Sequence, residues 1–343
     1  MKAMILEKLG PVAGDSAPLR YAEVPDPSSP EAGHLLVRVA ACGVCHTELD
    51  EIEGRTPPPK LPVILGHQAV GRVEAMGSGA SRFQKGDRVG VAWIFDACLD
   101  CYHCETGNEN LCSSFRATGR DVDGGYAEFL TVPEAFAFPI PETFTDSEAA
   151  PLLCAGAIGY RSLRLTDLQN GQALGLTGFG ASGHLVLKMV RHSLPDSQVY
   201  VFARSQSERA FALELGAAWS GDTTDRAPVP LDGIIDTTPV WKPVVEALRN
   251  LAPGGRLVIN AIRKEDHDKE VLLGLDYGED LWMEREIKSV ANVARQDVGG
   301  FLELAAQIPI RPEVQEFPLR EANRALQELR VGKIRGAKVL RIE

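Results

Sequence analysis

The sequence predicts an α/β protein of two domains, a β-rich one over residues 1–150 and a doubly wound parallel sheet over 151–290, with residues 291–343 returning to the first. Three observations carry this. The chain has 343 residues, enough for two domains that each bury a core. Its first third is written in short β-branched runs cut by Gly and Pro. From about Thr145 onward apolar strands alternate with amphipathic helical stretches, the pattern of a parallel sheet covered on both faces.

In the first part, Leu35 to Ala40, Val70 to Ala75 and Asp87 to Ala92 read as strands, and Pro57 to Pro59 as a turn. Asp146 to Leu165 reads as helix. Strands follow at Leu174 to Thr177, Val199 to Phe202, Gly233 to Asp236 and Arg256 to Asn260. Between them Ala181 to His192, Ser207 to Leu215 and Val240 to Asn250 have helical periodicity. Beyond about Val290 the pattern blurs, and Gly336 to Ile342 is a β-rich tail suited to the first domain.

With 36 basic and 47 acidic residues the formal charge is -11, which opposes non-specific binding to nucleic acid or to an anionic membrane surface. A small molecule fits better as partner. The segment Met1 to Gly10 lacks an apolar core of signal-peptide length, and no stretch approaches the run of about 20 apolar residues that crosses a bilayer. A cytoplasmic protein is expected. Seven cysteines in a reducing compartment point to metal or redox chemistry rather than to disulfides.

Four of them, Cys98, Cys101, Cys104 and Cys112, lie within a lobe of residues 95–113 whose Gly107, Asn108 and Asn110 permit tight reversals. Four thiolates close a tetrahedron around zinc and leave no place for water or substrate, so this site is structural. The alternative is four unliganded thiols. The spacings do not closely match the runs that hold iron-sulfur clusters. His103, inside the lobe, reads as a solvated loop residue.

The run from Leu174 to Gly183 places Gly178, Gly180 and Gly183 as Gly-x-Gly-x-x-Gly between a strand and a helix. Two glycines allow a tight turn and close approach of backbone to a pyrophosphate, and the third lets helix and strand pack, so the segment reads as a dinucleotide site. About twenty residues past the last glycine, NAD-binding units offer Asp or Glu to the ribose. Here stand Ala203, Arg204 and Ser205; Ala203 accepts nothing from a ribose diol, whereas Arg204 and Ser205 suit a 2'-phosphate, so NADP(H) is favoured over NAD(H). The plain alternative for Arg204 is a solvated strand-end residue.

The segments Gly43 to Thr47, Gly66 to Gly71 and Leu153 to Gly156, taken with the four-cysteine lobe and the glycine motif, resemble zinc-dependent medium-chain alcohol dehydrogenases along essentially the whole chain. The resemblance implies a GroES-like catalytic domain followed by a Rossmann domain, and interconversion of alcohols with aldehydes or ketones by hydride transfer with a nicotinamide dinucleotide. It further implies a catalytic zinc held by Cys45, His67 and Cys154, a two-Cys, one-His set that keeps a fourth position for the substrate oxygen. With the lobe, that makes two zinc ions per chain. Cys42 is left over and reads as a small buried apolar residue.

By the same resemblance Thr47 matches the hydroxyl that receives the alcohol proton, His46 the position that contacts the pyrophosphate, and Trp93 a wall of the substrate pocket, although Trp93 reads equally as a core aromatic. There are three departures. Glu48 stands where Asp is frequent and can still orient a ligand His. Gln68 replaces a Glu after the ligand His, and Asp50 occupies the place of a relay histidine, which leaves the end of the proton path open. A zinc-containing reductase of activated C=C or C=N bonds and a catalytically silent nucleotide-binding relative are the competing readings. The family implies a homodimer or homotetramer.

Overall fold

The computed structural model describes residues 1–14, 16–308, 310–331 and 336–343. The chain divides into two compact units, Met1–Cys154 with Val293–Glu343, and Ala155–Asn292.

The first unit is organised by one long strand, His34–Val44. Leu35, Val37, Val39 and Ala41 alternate inward and are buried, while Leu36 is half-buried and Arg38 exposed, the period-two pattern of a strand with one face on a core. It pairs antiparallel with Ala69–Met76, with Phe129–Pro133 and with the tail strand Ala337–Arg341, where Leu340 lies opposite Cys42. Ala69–Met76 passes the sheet on to Arg88–Val91 and then Ala137–Pro139; Val314–Pro318 runs parallel to the tail on the other edge. Chain ends separated by some three hundred residues thus share one sheet.

Asp146 to Leu165, expected as one helix, is interrupted. Thr145 and Glu148 form a capping box for a single turn, Asp146–Ala149, which tightens into the 3-10 turn Ala150–Leu153 before the helix Ala155–Thr166 begins. Pro151 supplies no backbone N–H, so an α ladder cannot run through this point. Cys154 sits at the break, with φ -122 and ψ -77.

The second unit carries the doubly wound sheet that the alternation of strands and helices predicts. Six parallel strands stand in the order Trp219–Gly221, Gln198–Phe202, Ala173–Thr177, Leu231–Asp236, Leu251–Ile259, Glu286–Ser289. The order runs outward both ways from Ala173–Thr177, and the reversal opens a crevice at the carboxyl ends of that strand and of Leu231–Asp236. Trp219–Gly221 and Glu286–Ser289 escape sequence reading because the first is three residues long and the second is exposed throughout. Leu231, Ile234, Val244, Leu248, Leu251 and Leu257 form the core between the sheet and the helix Lys242–Leu248. No helix among the described residues is long and apolar enough to cross a membrane.

Leu248 is wholly buried in that core. Leu248→Ala should destabilise the protein by about 2–5 kcal/mol, since the lost transfer energy is joined by an unfilled cavity; the urea midpoint of unfolding measures it, and a shift below about 0.5 kcal/mol would mean that the site collapses or is not packed.

Candidate active site

The four cysteines of the lobe come together around two short turns, Tyr102–Glu105 and Glu109–Leu111. Sulfur atoms stand 3.9 Å apart for Cys98 and Cys104, 3.6 Å for Cys101 and Cys104, and 3.4 Å for Cys98 and Cys112. A tetrahedron with Zn–S bonds of 2.3 Å has edges of about 3.8 Å, so the donor set fits zinc. All four are free thiols. A backbone hydrogen bond involving Cys98 draws the Cys112 thiol down to about 7, a readiness to ionise that suits a metal ligand. The lobe is tied to the helix Arg295–Gln307: Arg295 Nε donates to the buried Glu109 at 2.7 Å, and Gln296 Nε2 to the Gly107 carbonyl at 2.6 Å.

The second cluster gathers Cys45, His67 and Cys154, whose ligand atoms all lie within 4.8 Å of one another. Each reaches the cluster from a different local device. Cys45 is the N-cap of the helix His46–Ile52; its sulfur accepts the Thr47 amide at 3.3 Å, and its own amide donates to Glu48 Oε2 at 2.8 Å. His67 follows Gly66, which holds φ +97 and where a Cβ would lie 2.3 Å from the ring of buried Tyr126, so only glycine lets the chain pass. Cys154 is placed by the helix break at Pro151.

Glu48 binds the two halves of this centre. While Oε2 takes the Cys45 amide, Oε1 stands 2.6 Å from His67 Nδ1, an oblique ion-pair approach rather than an aligned hydrogen bond, and both residues are buried. That arrangement turns His67 Nε2 toward Cys45 Sγ, 3.8 Å away. A carboxylate behind the imidazole fixes tautomer and ring orientation for a metal at the other nitrogen. Burial is the largest influence and disfavours the charged ring, yet the charges and hydrogen bonds of Glu48 and Cys45 together outweigh it and hold the His67 pKa well above the usual imidazole value. A hydrogen bond with Cys154, then burial, pushes the Cys45 thiol well above the ordinary thiol range.

Around this centre the other expected residues take distinct places. Thr47 Oγ1 lies 3.3 Å from Cys45 Sγ, and His46 is exposed on the first turn of the helix. Asp50 is buried and forms an ion pair with Arg55 Nε, while its carbonyl accepts the amides of Arg55 and Thr56. Trp93 is 8 % exposed, 5.3 Å from Phe115 between ring centroids, with Arg120 above its face. Gln68 is buried beside Gly43, and Cys42 is a buried thiol raised by burial. Sequence reading missed Glu51, whose carboxyl is fully buried without a hydrogen-bond partner; burial and then the Glu48 charge push it well above the usual carboxylate range. Only its place one helical turn after Thr47 signalled it.

In the second unit the glycine turn has the shape that a dinucleotide needs. Gly178 holds φ +78, and a Cβ there would meet Thr237 Oγ1 at 2.8 Å; a Cβ on Gly183 would lie 3.0 Å from the Gly178 carbonyl, whereas at Gly180 the space is open. Gly180 caps the helix Ala181–Ser193 without any side-chain hydrogen bond, leaving its first amides free for an anion. At the end of Gln198–Phe202, Ala203 is buried, the exposed Arg204 guanidinium has no partner among the described residues, and Ser205 caps Gln206–Glu214 with its hydroxyl 2.6 Å from that of Ser207. Arg209, unremarked in the sequence, donates to the carbonyls of Ala203 and Arg204 at 2.7 and 3.1 Å and holds this bend. Buried Asp236 accepts from Thr177 and Thr238 and pairs with Lys264, pinning the crevice edge next to the Gly178 turn.

The fold and these two metal-ready clusters define a medium-chain dehydrogenase architecture, and comparison with known proteins agrees. Residues 31–142 match the alcohol dehydrogenase GroES-like domain. A probable alcohol dehydrogenase, AdhA, of Mycobacterium tuberculosis is 45% identical, with 100% of this chain and 97% of that protein covered. An alcohol dehydrogenase of Geobacillus stearothermophilus is 31% identical, covering 91% and 93%. Among solved structures, a cinnamyl alcohol dehydrogenase from Sorghum bicolor superposes with TM-score 0.84 at 26% identity, covering 99% and 97%. The chain therefore belongs to the zinc-type medium-chain alcohol dehydrogenase family and is an oxidoreductase.

Cys45 and His67 hold their protons more tightly than free side chains do, so a metal must expel protons to bind. Zinc affinity at this centre should rise between pH 6 and 8 by roughly tenfold per pH unit for each proton displaced. Chelator competition at several pH values measures it, and a flat profile would mean that the ligands are already deprotonated.

Proposed function

We propose that the chain interconverts small alcohols with aldehydes or ketones using NADP(H), with one metal ion at Cys45, His67 and Cys154 and a second, structural one in the four-cysteine lobe. The observation that carries this reading is the Cys45–Glu48–His67 arrangement, in which the carboxylate that caps the helix also orients a ligand imidazole beside two thiols. Bound there, the metal would supply Lewis-acid polarisation of the reacting C–O group, and the dinucleotide the hydride. Three protein donors leave a coordination position for the substrate oxygen, as a catalytic rather than a structural site requires.

The remaining roles belong to the chain itself. Thr47 Oγ1, next to Cys45 Sγ, takes the proton of the substrate hydroxyl during oxidation and returns it during reduction. Asp50 stabilises the helix end through Arg55 instead of ending the path, so onward exchange runs to His46 or to solvent. Trp93, tilted against Phe115, gives the substrate an apolar wall. The open Gly180 corner and the uncapped helix behind it receive the pyrophosphate, and Arg204 with Ser205 receives the 2'-phosphate.

Unpaired cysteines suit a cytoplasmic enzyme. The edge strand Glu286–Ser289 is exposed throughout, and Leu273, Tyr277, Trp282 and Met283 of the same unit are exposed apolar residues. A bare strand edge with apolar neighbours calls for cover, and a second copy of the chain supplies it in a homodimer or homotetramer.

An NADPH-oxidation screen over aliphatic and aromatic aldehydes, ketones and enones tests the reading, with aldehyde turnover expected. Thr47→Ala should lower kcat for alcohol oxidation by about 100-fold or more, the usual contribution of a positioned proton acceptor, whereas Asp50→Asn should cost mainly thermal stability. Equal and severe kcat losses would return Asp50 to the proton path. Arg204→Ala should raise KM for NADPH about 10- to 100-fold, the loss of a charge-assisted bond, and leave KM for NADH nearly unchanged. Equal shifts for both cofactors would remove Arg204 from the phosphate site.

A further inference from the structure

The helix His46–Ile52 carries one acid, Glu51, that neither the ligand set, the proton path nor an ion pair with Arg55 uses. Glu51 is 0 % exposed, and neither of its oxygens has a hydrogen-bond partner. The indole N–H of Trp93 is directed at it, but too poorly placed to satisfy either group. The other acids of this segment are treated differently: Asp50 and Glu53 both pair with Arg55. The groups that act most on Glu51 are Glu48, His67, Cys45 and Trp93, none of them a Lys or Arg. A carboxyl buried in this company is costly unless a cation joins it.

Spacing explains where it points. Cys45, Glu48 and Glu51 follow at intervals of three, so the N-cap and the two carboxyls share one face of the helix. The first is a sulfur donor to the cluster and the second stands behind His67. The third continues that line into the buried interior, where charge attraction is weakly screened and acts without direct contact.

We propose that Glu51 is a positioning residue of the metal centre, a second buried carboxyl beside Glu48 that tightens the hold of Cys45, His67 and Cys154 on a divalent cation. Its cost in the empty centre becomes attraction when the cation arrives. The proposal rests on reading those three residues as a metal site.

Zinc itself is the probe. In the full-length protein the dissociation constant of each zinc is measured by competition with a chromophoric chelator, for wild type, Glu51→Gln, Glu51→Met and Cys154→Ser, together with the melting temperature of the metal-free protein. Both Glu51 variants should weaken one zinc by about 10- to 100-fold and leave the lobe zinc unchanged, the size of effect found for groups that support metal ligands. Their metal-free melting temperatures should hold or rise, because the substitution removes an unpaired group and not a partner. Unchanged zinc affinity in both variants overturns the proposal, as does a lowered metal-free melting temperature in both, which marks a structural role. Glu51→Met, apolar and of similar volume, keeps the test open if Glu51→Gln folds poorly. If Cys154→Ser binds both zinc ions as tightly as wild type, the metal reading itself falls; if it loses one and the Glu51 variants do not, only the role of Glu51 falls.

Discussion

The Glu48 carboxylate is the contact on which the rest of the site depends. One oxygen accepts the Cys45 amide and closes the capping box of a seven-residue helix; the other faces His67. A helix this short has little stability of its own, and its cap contributes a large share of what holds it. The same carboxylate therefore decides whether Cys45, Thr47 and His67 stand in one place. Lengthening from Asp to Glu at this position is tolerable because the capping box needs a side chain that reaches back to the N-cap amide, which Glu does well.

The backbone around the centre is arranged to let those side chains meet. Gly66 passes the chain beside Tyr126 where no Cβ fits, and Pro151 ends one helical run just before Cys154. Neither residue belongs to the Cys45, His67 and Cys154 cluster. Each acts by denying the chain an ordinary conformation, and the irregular geometry that results presents the ligand. The four-cysteine lobe works by another principle: its donors are close in sequence, its turns are local, and Arg295 and Gln296 anchor it to a helix of the same unit.

The nucleotide end follows from topology. Parallel strands ordered outward in both directions from Ala173–Thr177 must open a crevice at their carboxyl ends, and the three glycines differ in what each makes possible there. Gly178 lets the turn pass Thr237, Gly183 lets the helix approach the turn, and Gly180 leaves room for a ligand. The buried pair of Asp236 and Lys264 holds the neighbouring strand end in register with this turn.

Local chemistry was legible in the residues alone. Alternating β-branched runs, the strand-turn-helix glycine motif and the Cys-x-x-Cys-x-x-Cys spacing each depend on neighbours in the chain, so the parallel sheet, its first four long strands and the lobe could be read before any fold was known. The gathering of Cys45, His67 and Cys154 needed family resemblance, since no spacing rule links residues so far apart. What only the tertiary structure decided is which polar groups pair: Asp50 with Arg55 and Arg209 with the bend at Ala203, both close in the chain, Lys264 with Asp236 from farther away, and Glu51 sealed without a hydrogen-bond partner near Cys45 and His67. A sequence records which groups are polar, but whether a buried charge meets a cation, a donor or nothing is set by how the chain packs around it in three dimensions.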